Sequence, residues 1–572
     1  MSELRLPLSL LDPVPYSRVD EEGLSRVVAF AFATGDVGDG LERILDSMPI
    51  APSSWDPAEF AEDIFLRHVV SSCLQVKAEG QGHAAHPSLL YRLLGSPPAD
   101  PAVVTFRQNV LAELATDPEL RATFEKLYVT LTTLRGLLSR SGAGARIDAF
   151  HRRLEVLRRV KTAVEVTLAF ERAVSGLVRL GEWGRRVAAS EAYARLLELL
   201  DYENSASEVD VRLQLGFDGR VREFTVVARR PKKDNSFYRS PASRWLGKIW
   251  LLARGEKFSD EELVSRLLDT VFDGVQEALV PLFPLIGDLE FYLAGLSFRD
   301  GCDKVGLRTC LPDFTVGGGR SIERLFNPLL LAERGAAKPC DVSPLADDAL
   351  VVVTGPNSGG KTRFLQALAL TQILGQAGLF VPAARATLPW ATALFVSLVE
   401  HARADQAEGR LGMELVRIRR LFERLQEGSL VIVDELCSGT NPAEGEEIFR
   451  LVVKLFRELR PAAFITTHFL AFAARLQADH GDVDFLQVEL DAALKPTYRF
   501  VPGVATTSLA DRTAARLGVT EDGLRSAALA NRANRADRAD RASAARPDRA
   551  GVQSAPGRLG ASNPETEPGL SP

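Results

Sequence analysis

The chain has 572 residues, 46% hydrophobic and 25% charged, with Lys+Arg 69 against Asp+Glu 75 and a formal net charge of -6. This composition excludes a collagen-like, a wholly disordered or a disulfide-scaffold protein, and at about 100–200 residues per domain the length predicts three or four structural units. The charge balance attracts neither nucleic acid nor an anionic membrane, so a polyanionic partner would require a local basic surface.

Five dispersed cysteines (Cys73, Cys302, Cys310, Cys340, Cys437) form no CxxC pair and no zinc-ligand spacing, which predicts buried reduced thiols in a cytoplasmic protein. The start, MSELRLPLSLLDPVPYSRVDEE, has no signal-peptide pattern, and no run of about 18 apolar residues occurs, so neither export nor a membrane span is expected.

From Glu22 to about Leu200 apolar residues recur three and four apart, which predicts a helical bundle divided into an N-terminal helical region (1–102) and a first helical part (103–200). Around Asp201 the texture becomes alternating: VDVRLQLGF and VREFTVVARR flank Asp218-Gly219, a hairpin signal, which predicts a small β insertion over 201–245. Helical patterning resumes at about Glu261 and runs to about Asp303, a second helical part within 246–320 that Gly317 to Gly319 close. Over 321–530 short apolar strands (ALVVVTG, ALFVSLV, SLVIVDE, AAFITTH) alternate with helices from Thr362, over Leu411–Leu425 and over Ala443–Leu459. That alternation predicts a mainly parallel α/β sheet. Residues 531–572 begin NRANRADRADRASAARPDRA and end rich in Gly, Ser and Pro, so a solvated disordered tail is expected.

The strongest chemical signal is Gly355-Pro356-Asn357-Ser358-Gly359-Gly360-Lys361-Thr362, a G-x-x-x-x-G-K-[ST] loop between an apolar strand and a helix. Small residues let successive backbone N–H groups share one concavity at a helix N-terminus, Lys361 can reach β and γ phosphates, and the Thr362 hydroxyl can bind Mg2+. Further on, Leu430 to Val433 ends in Asp434 and Glu435. Asp434 is expected to hold Mg2+, and Glu435, with no matching cation evident in the sequence, to orient or deprotonate the attacking water. Carboxylates there could instead cap the next helix, but Asn441, Pro442 and Glu444 already supply a cap, a first helical position and a capping-box partner. His468, ending the strand Ala463–Thr467, is expected to sense the γ phosphate or polarise the water. His83 and His86 sit in a Gly/Ala-rich loop and are not expected to ligate metal.

TGPNSGGKT (Thr354–Thr362), GLFVPA (Gly378–Ala383), VDELCSGTNPAEG (Val433–Gly445) and TTHF (Thr466–Phe469) together resemble the ATPase domain of the MutS family of mismatch-repair proteins, within the ABC-type ATPases. Phe326-Asn327-Pro328-Leu329 is similar to the segment that opens that domain. The resemblance implies a helical core and lever, with residues 201–245 as a clamp-like insertion, followed by an ABC-type P-loop ATPase domain. It further implies ATP and Mg2+ as cofactors, a homodimer formed through the ATPase domain, and DNA as partner. The family's Phe-x-Glu wedge has no counterpart in the first hundred or so residues, so direct mismatch reading is not expected. The family's serine-containing segment falls on Glu408–Glu414 (EGRLGME), which lacks serine and threonine, and Cys437-Ser438 stand where the family carries Gly-Arg.

Two functions are therefore expected from the sequence. The first is a MutS-like ATPase that drives a dimeric switch on DNA, in mismatch repair or recombination-related maintenance. Its candidate phosphate contacts are Arg229, Arg230, Lys232 and Lys233 near Tyr238 and Trp245, and Arg152, Arg153, Arg158, Arg159 and Lys161 on one helical stretch. The alternative is a nucleotide-dependent switch that grips a protein partner, with those same charges serving as solvated helix faces.

Overall fold

The computed structural model describes residues 8–35, 40–83, 86–139, 149–205, 209–215, 221–229, 260–315, 317–398, 410–437, 441–506 and 519–531. The chain forms two units, residues 1–508 and 509–572; in the second, residues 521–531 are helical. The division at 508 falls inside the stretch 321–530 expected to be one domain.

The first half is helical, with long helices at Pro101–Thr116, Pro118–Ser139, Ala149–Leu168, Asp260–Leu279 and Leu282–Asp303. Asp100 starts the first of these, accepting a hydrogen bond from Ala102 N–H ahead of Pro101 at the first helical position. In Leu282–Asp303 every residue from Leu282 to Phe298 is buried. A helix enclosed on all sides has no polar stripe, which is why amphipathic spacing fades there. No single helix among the described residues is long and apolar enough to cross a membrane; the pair Leu268–Leu279 and Leu282–Asp303 is so only when taken together, and it bends by 46°. Between the helical segments, β3 (Val209–Leu215) pairs antiparallel with β4 (Val221–Arg229). They follow β1 (Val76–Ala78) and β2 (Gln81–His83), a hairpin within the region expected to be wholly helical.

From residue 313 the strands are β5 (Asp313–Thr315), β6 (Arg320–Leu325), β7 (Cys340–Leu345), β8 (Leu350–Thr354), β9 (Arg385–Pro389), β10 (Leu394–Ser397), β11 (Leu430–Val433), β12 (Ala462–Thr466), β13 (Asp484–Leu490) and β14 (Pro496–Pro502). The main sheet has the order β10-β11-β12-β8-β13-β14, parallel except for the antiparallel edge strand β14. A second sheet, β5-β9-β6-β7, was not anticipated; its β5 precedes the expected boundary at 320 yet pairs with β9. In both sheets short strands gain their partners from distant segments, which local patterning does not encode.

Side chains alternate across the main sheet. Val351, Val353, Leu430, Ile432 and Phe464 face a core shared with the Lys361–Ala377 helix and the helical half, whereas Leu350, Val352, Val431, Ala463 and Ile465 face a core formed with the Pro442–Leu459 and Leu470–Asp479 helices. One hydrophobic core therefore runs from the sheet into the helical half, which is why residues 1–508 form one unit.

Candidate active site

The parallel strands β11, β12 and β8 are neighbours in that order, so their C-terminal ends open side by side, where an α/β sheet binds ligands. β8 is buried throughout and runs into the loop Gly355–Gly360. Gly355 has φ 144° and Gly360 φ 89°. A methyl group on Gly355 would lie 2.6 Å from Val488 Cγ2, and one on Gly359 would lie 2.9 Å from the Pro356 carbonyl. The loop is thus a cradle that larger residues would fill, and Ser358 also takes a left-handed conformation, φ 68°. Asn357 and Ser358 are exposed, Pro356 is buried, and the Lys361–Ala377 helix begins directly after Gly360.

Lys361 is only 5% exposed, and its Nζ donates to the carbonyls of Gly355 at 3.1 Å and Pro356 at 3.3 Å. Glu435 Oε1 lies 4.0 Å from the same nitrogen. The acid that seemed to lack a cation in the sequence therefore faces one across the site. Burial pushes the Lys361 ammonium below its ordinary pKa, and the charges of Glu435 and Asp434 partly oppose that fall.

Asp434 is held on both oxygens by hydroxyl groups. Thr362 Oγ1 donates to Oδ2 and Thr466 Oγ1 donates to Oδ1. Thr466 also accepts the Glu435 N–H at 2.7 Å, where the Glu435 backbone is left-handed, φ 49°. The helix after this strand is capped independently, because Asn441 accepts from Ala443 N–H and Pro442 opens it. The acidic pair is thus not needed as a cap. Cys437, also left-handed at φ 60°, is buried, and its thiol is pushed up to about 12 by burial and by Glu414. That places Glu414, from the serine-free segment, against the loop that follows the acidic pair; Glu408, Gly409 and Ser438 lie outside the described residues.

His468 is exposed two residues beyond the end of β12, its ring beside Phe469, with no hydrogen bond to Asp434 or Glu435 among the described residues. Sequence reasoning missed Thr466 as a partner of the acidic pair, and it missed β14. The Tyr498 ring packs against Gly360 of the glycine-rich loop, Lys338 Nζ lies 5.2 Å from the centre of that ring, and Phe500 stacks on Phe364 at 4.1 Å. The Phe326–Leu329 segment is tied to the same helix, since Asn327 Nδ2 donates to the Arg363 carbonyl and to Gln366 Oε1.

The basic residues on the Ala149–Leu168 helix have partners within the chain. Arg152 donates to the carbonyls of Ala31 and Phe32, Arg153 pairs with Asp269, Arg158 and Arg159 pair with Glu155, and Lys161 pairs with Glu165. The sequence placed these residues on one helical stretch without showing that Arg152 and Arg153 reach neighbouring segments while Arg158, Arg159 and Lys161 pair along their own helix. Arg230, Lys232, Lys233, Tyr238 and Trp245 lie outside the described residues, as does the side chain of Arg229. Among the described residues no group of three or more His, Cys, Asp or Glu is placed to hold a metal, His83 and His86 included.

Thr362 and Asp434 present hard oxygen donors beside the glycine cradle and Lys361, a donor set that fits Mg2+ bound together with a phosphate chain. Residues 351–529 match the family described as MutS domain V. Similar proteins include three named endonuclease MutS2. The one from Agathobacter rectalis is 28% identical over 46% of this chain and 33% of its own length. That from Thermomicrobium roseum is 34% identical over 34% and 25%, and that from Thermus thermophilus 33% identical over 31% and 24%. The matches thus span a third or less of those relatives.

Proposed function

The chain belongs to the MutS family by its residues 351–529, and on that basis we propose that it is an ABC-type P-loop ATPase that drives a dimeric switch on DNA. The observation that carries this reading is the pairing of Thr362 with Asp434 beside buried Lys361, with Glu435 4.0 Å from the ammonium. The backbone N–H groups of Gly355–Lys361 and the ammonium of Lys361 bind the β and γ phosphates. Thr362 and Asp434 hold Mg2+, which when bound offsets negative charge on those phosphates. Glu435 orients a water in line with the γ phosphorus and accepts its proton as the new P–O bond forms and the bond to the bridging oxygen breaks. His468, at the rim, contacts the γ phosphate or that water. In a homodimer paired through the ATPase part, nucleotide-driven closure passes into the helical half through the core the two parts share.

This assignment is tested by hydrolysis and nucleotide binding with Glu435→Gln and Lys361→Ala. A Glu435→Gln protein as fast as the parent removes Glu435 as the base. The DNA partner is tested by a gel shift with mismatched, branched and perfect duplexes, with and without ATP, at several salt concentrations. The internal pairing of the Ala149–Leu168 basic residues favours the second reading, a switch that grips a protein. Absence of any shift at low salt decides for it.

A further inference from the structure

We propose that Thr466 is a positioning residue that sets both acidic groups of the site through one hydroxyl. The inference rests on Asp434 and Glu435 acting as the metal-holding and water-activating carboxylates. β12 lies between β11 and β8, with Ile465 opposite Val433 and Thr466 opposite Val353. The last residue of the middle strand is therefore set between the acidic pair and the phosphate loop. Thr466 has 0% exposure, so its hydroxyl has no solvent to turn to.

A hydroxyl offers one proton and lone pairs, and both capacities are used on adjacent residues. The proton goes to Asp434 Oδ1, and a lone pair accepts the Glu435 N–H at 2.7 Å. The first bond fixes the carboxylate rotation that turns Oδ2 toward Thr362. The second stabilises the left-handed backbone at Glu435, a conformation unfavourable for a residue other than glycine, and the side chain that leaves from that turn ends 4.0 Å from Lys361 Nζ. A hydrogen-bonded chain from Glu435 N–H through Thr466 to Asp434 thus couples the direction of the base to the direction of the metal ligand. Valine has nearly the shape of threonine but neither capacity, and would leave Asp434 Oδ1 and the Glu435 N–H without this partner.

The test uses the full chain as parent, Thr466→Val, Thr466→Ser and Glu435→Gln. Steady-state ATP hydrolysis is titrated with Mg2+, and binding of a fluorescent ATP analogue is measured in EDTA. Thr466→Val is expected to lower kcat roughly 10–100-fold and raise the half-saturating Mg2+ about tenfold, with metal-free binding within about twofold of the parent and Thr466→Ser close to the parent in all three. The inference is overturned if Thr466→Val keeps the parent's kcat and Mg2+ dependence. It is also overturned if Thr466→Ser is as impaired as Thr466→Val, since the methyl group and not the hydroxyl would then matter. Should Thr466→Val not fold, Thr466→Ala removes the same hydroxyl and is read the same way. Failure of the underlying assignment looks different: Glu435→Gln hydrolyses at the parent's rate, or the parent shows no Mg2+-dependent hydrolysis, and either result overturns both.

Discussion

Arg107 and Ala377 are 270 residues apart in sequence and joined by a hydrogen bond, Arg107 Nη1 to the Ala377 carbonyl at 2.9 Å. Ala377 ends the helix that begins at Lys361, and the Arg107 Nε donates to the Leu11 carbonyl, also at 2.9 Å. One fully buried guanidinium thus closes the Lys361–Ala377 helix at its far end and anchors residues 8–13, which Arg179 and Asp288 hold as well. Its charge suits a helix C-terminus, where the last carbonyls point outward.

Arg107→Met is therefore expected to destabilise the protein by about 3 kcal/mol, since each hydrogen bond from a charged donor contributes about 1.5–3 kcal/mol and burying the charge offsets part of the total. Gly378→Ala is expected to act in the same direction, because Gly378 has φ 92° and a methyl group there would lie 2.7 Å from Arg107 Cβ. Guanidinium unfolding followed by circular dichroism measures both; an Arg107→Met midpoint equal to the parent's rejects the tether.

Lys361→Ala is expected to abolish nucleotide binding, and Glu435→Gln to leave binding intact while slowing hydrolysis by about 10²–10⁴-fold, the usual contribution of a positioned base. Equilibrium binding and single-turnover hydrolysis separate the two effects. Equal loss of binding in both variants would remove the division of roles.

Glu290 is 1% exposed, and burial raises its pKa above the ordinary 4.5 although the His86 N–H and the Tyr128 hydroxyl both donate to it. Between 4.5 and the raised folded value the native state holds more proton than the unfolded chain, so stability falls as pH rises through that window. Glu290→Gln is expected to lose this part of the slope. Denaturant midpoints of both proteins across pH 4–8 measure it; parallel curves would contradict the assignment.

Burial pushes the thiol of Cys73 up to about 11 and those of Cys302, Cys310 and Cys340 up to about 12, as at Cys437. A thiol shifted this far has at least a hundredfold less thiolate near pH 8 than a free one, so labelling by a disulfide reagent is expected to be slow in the native protein and fast in denaturant. A thiol labelled at the free-cysteine rate would locate an opening of the fold.

Arg158, Arg159 and Lys161 are spent on Glu155 and Glu165. Their joint replacement by alanine is expected to change stability by less than about 1 kcal/mol, because exposed pairs contribute little, and to leave any DNA shift and its salt dependence unchanged. A fall in the salt slope would return this helix to the DNA-facing surface.

Much of the candidate site was legible in the sequence because its residue pattern is local. The loop Gly355–Thr362 needs small residues between a buried strand and a helix N-terminus, and that pattern lies in consecutive residues. Asp434 and Glu435 were evident because a buried run of Leu430–Val433 has little reason to end in two carboxylates. The helices were evident as well, Leu282–Asp303 among them, although Leu282–Phe298 is enclosed on every side and has no polar stripe.

The sequence by itself determined which segments could be strand, loop and helix, and which residue types could meet a phosphate and a hard cation. Tertiary structure alone decided who stands beside whom. The order β11-β12-β8 puts Thr466 between Asp434 and the glycine-rich loop, and helix packing brings Asp269 to Arg153 and the carbonyls of Ala31 and Phe32 to Arg152, on the stretch that resembled a DNA surface. Strand order and helix contact are set by long-range burial, with one apolar core shared between the sheet and the helical half, and no spacing along the chain encodes that arrangement.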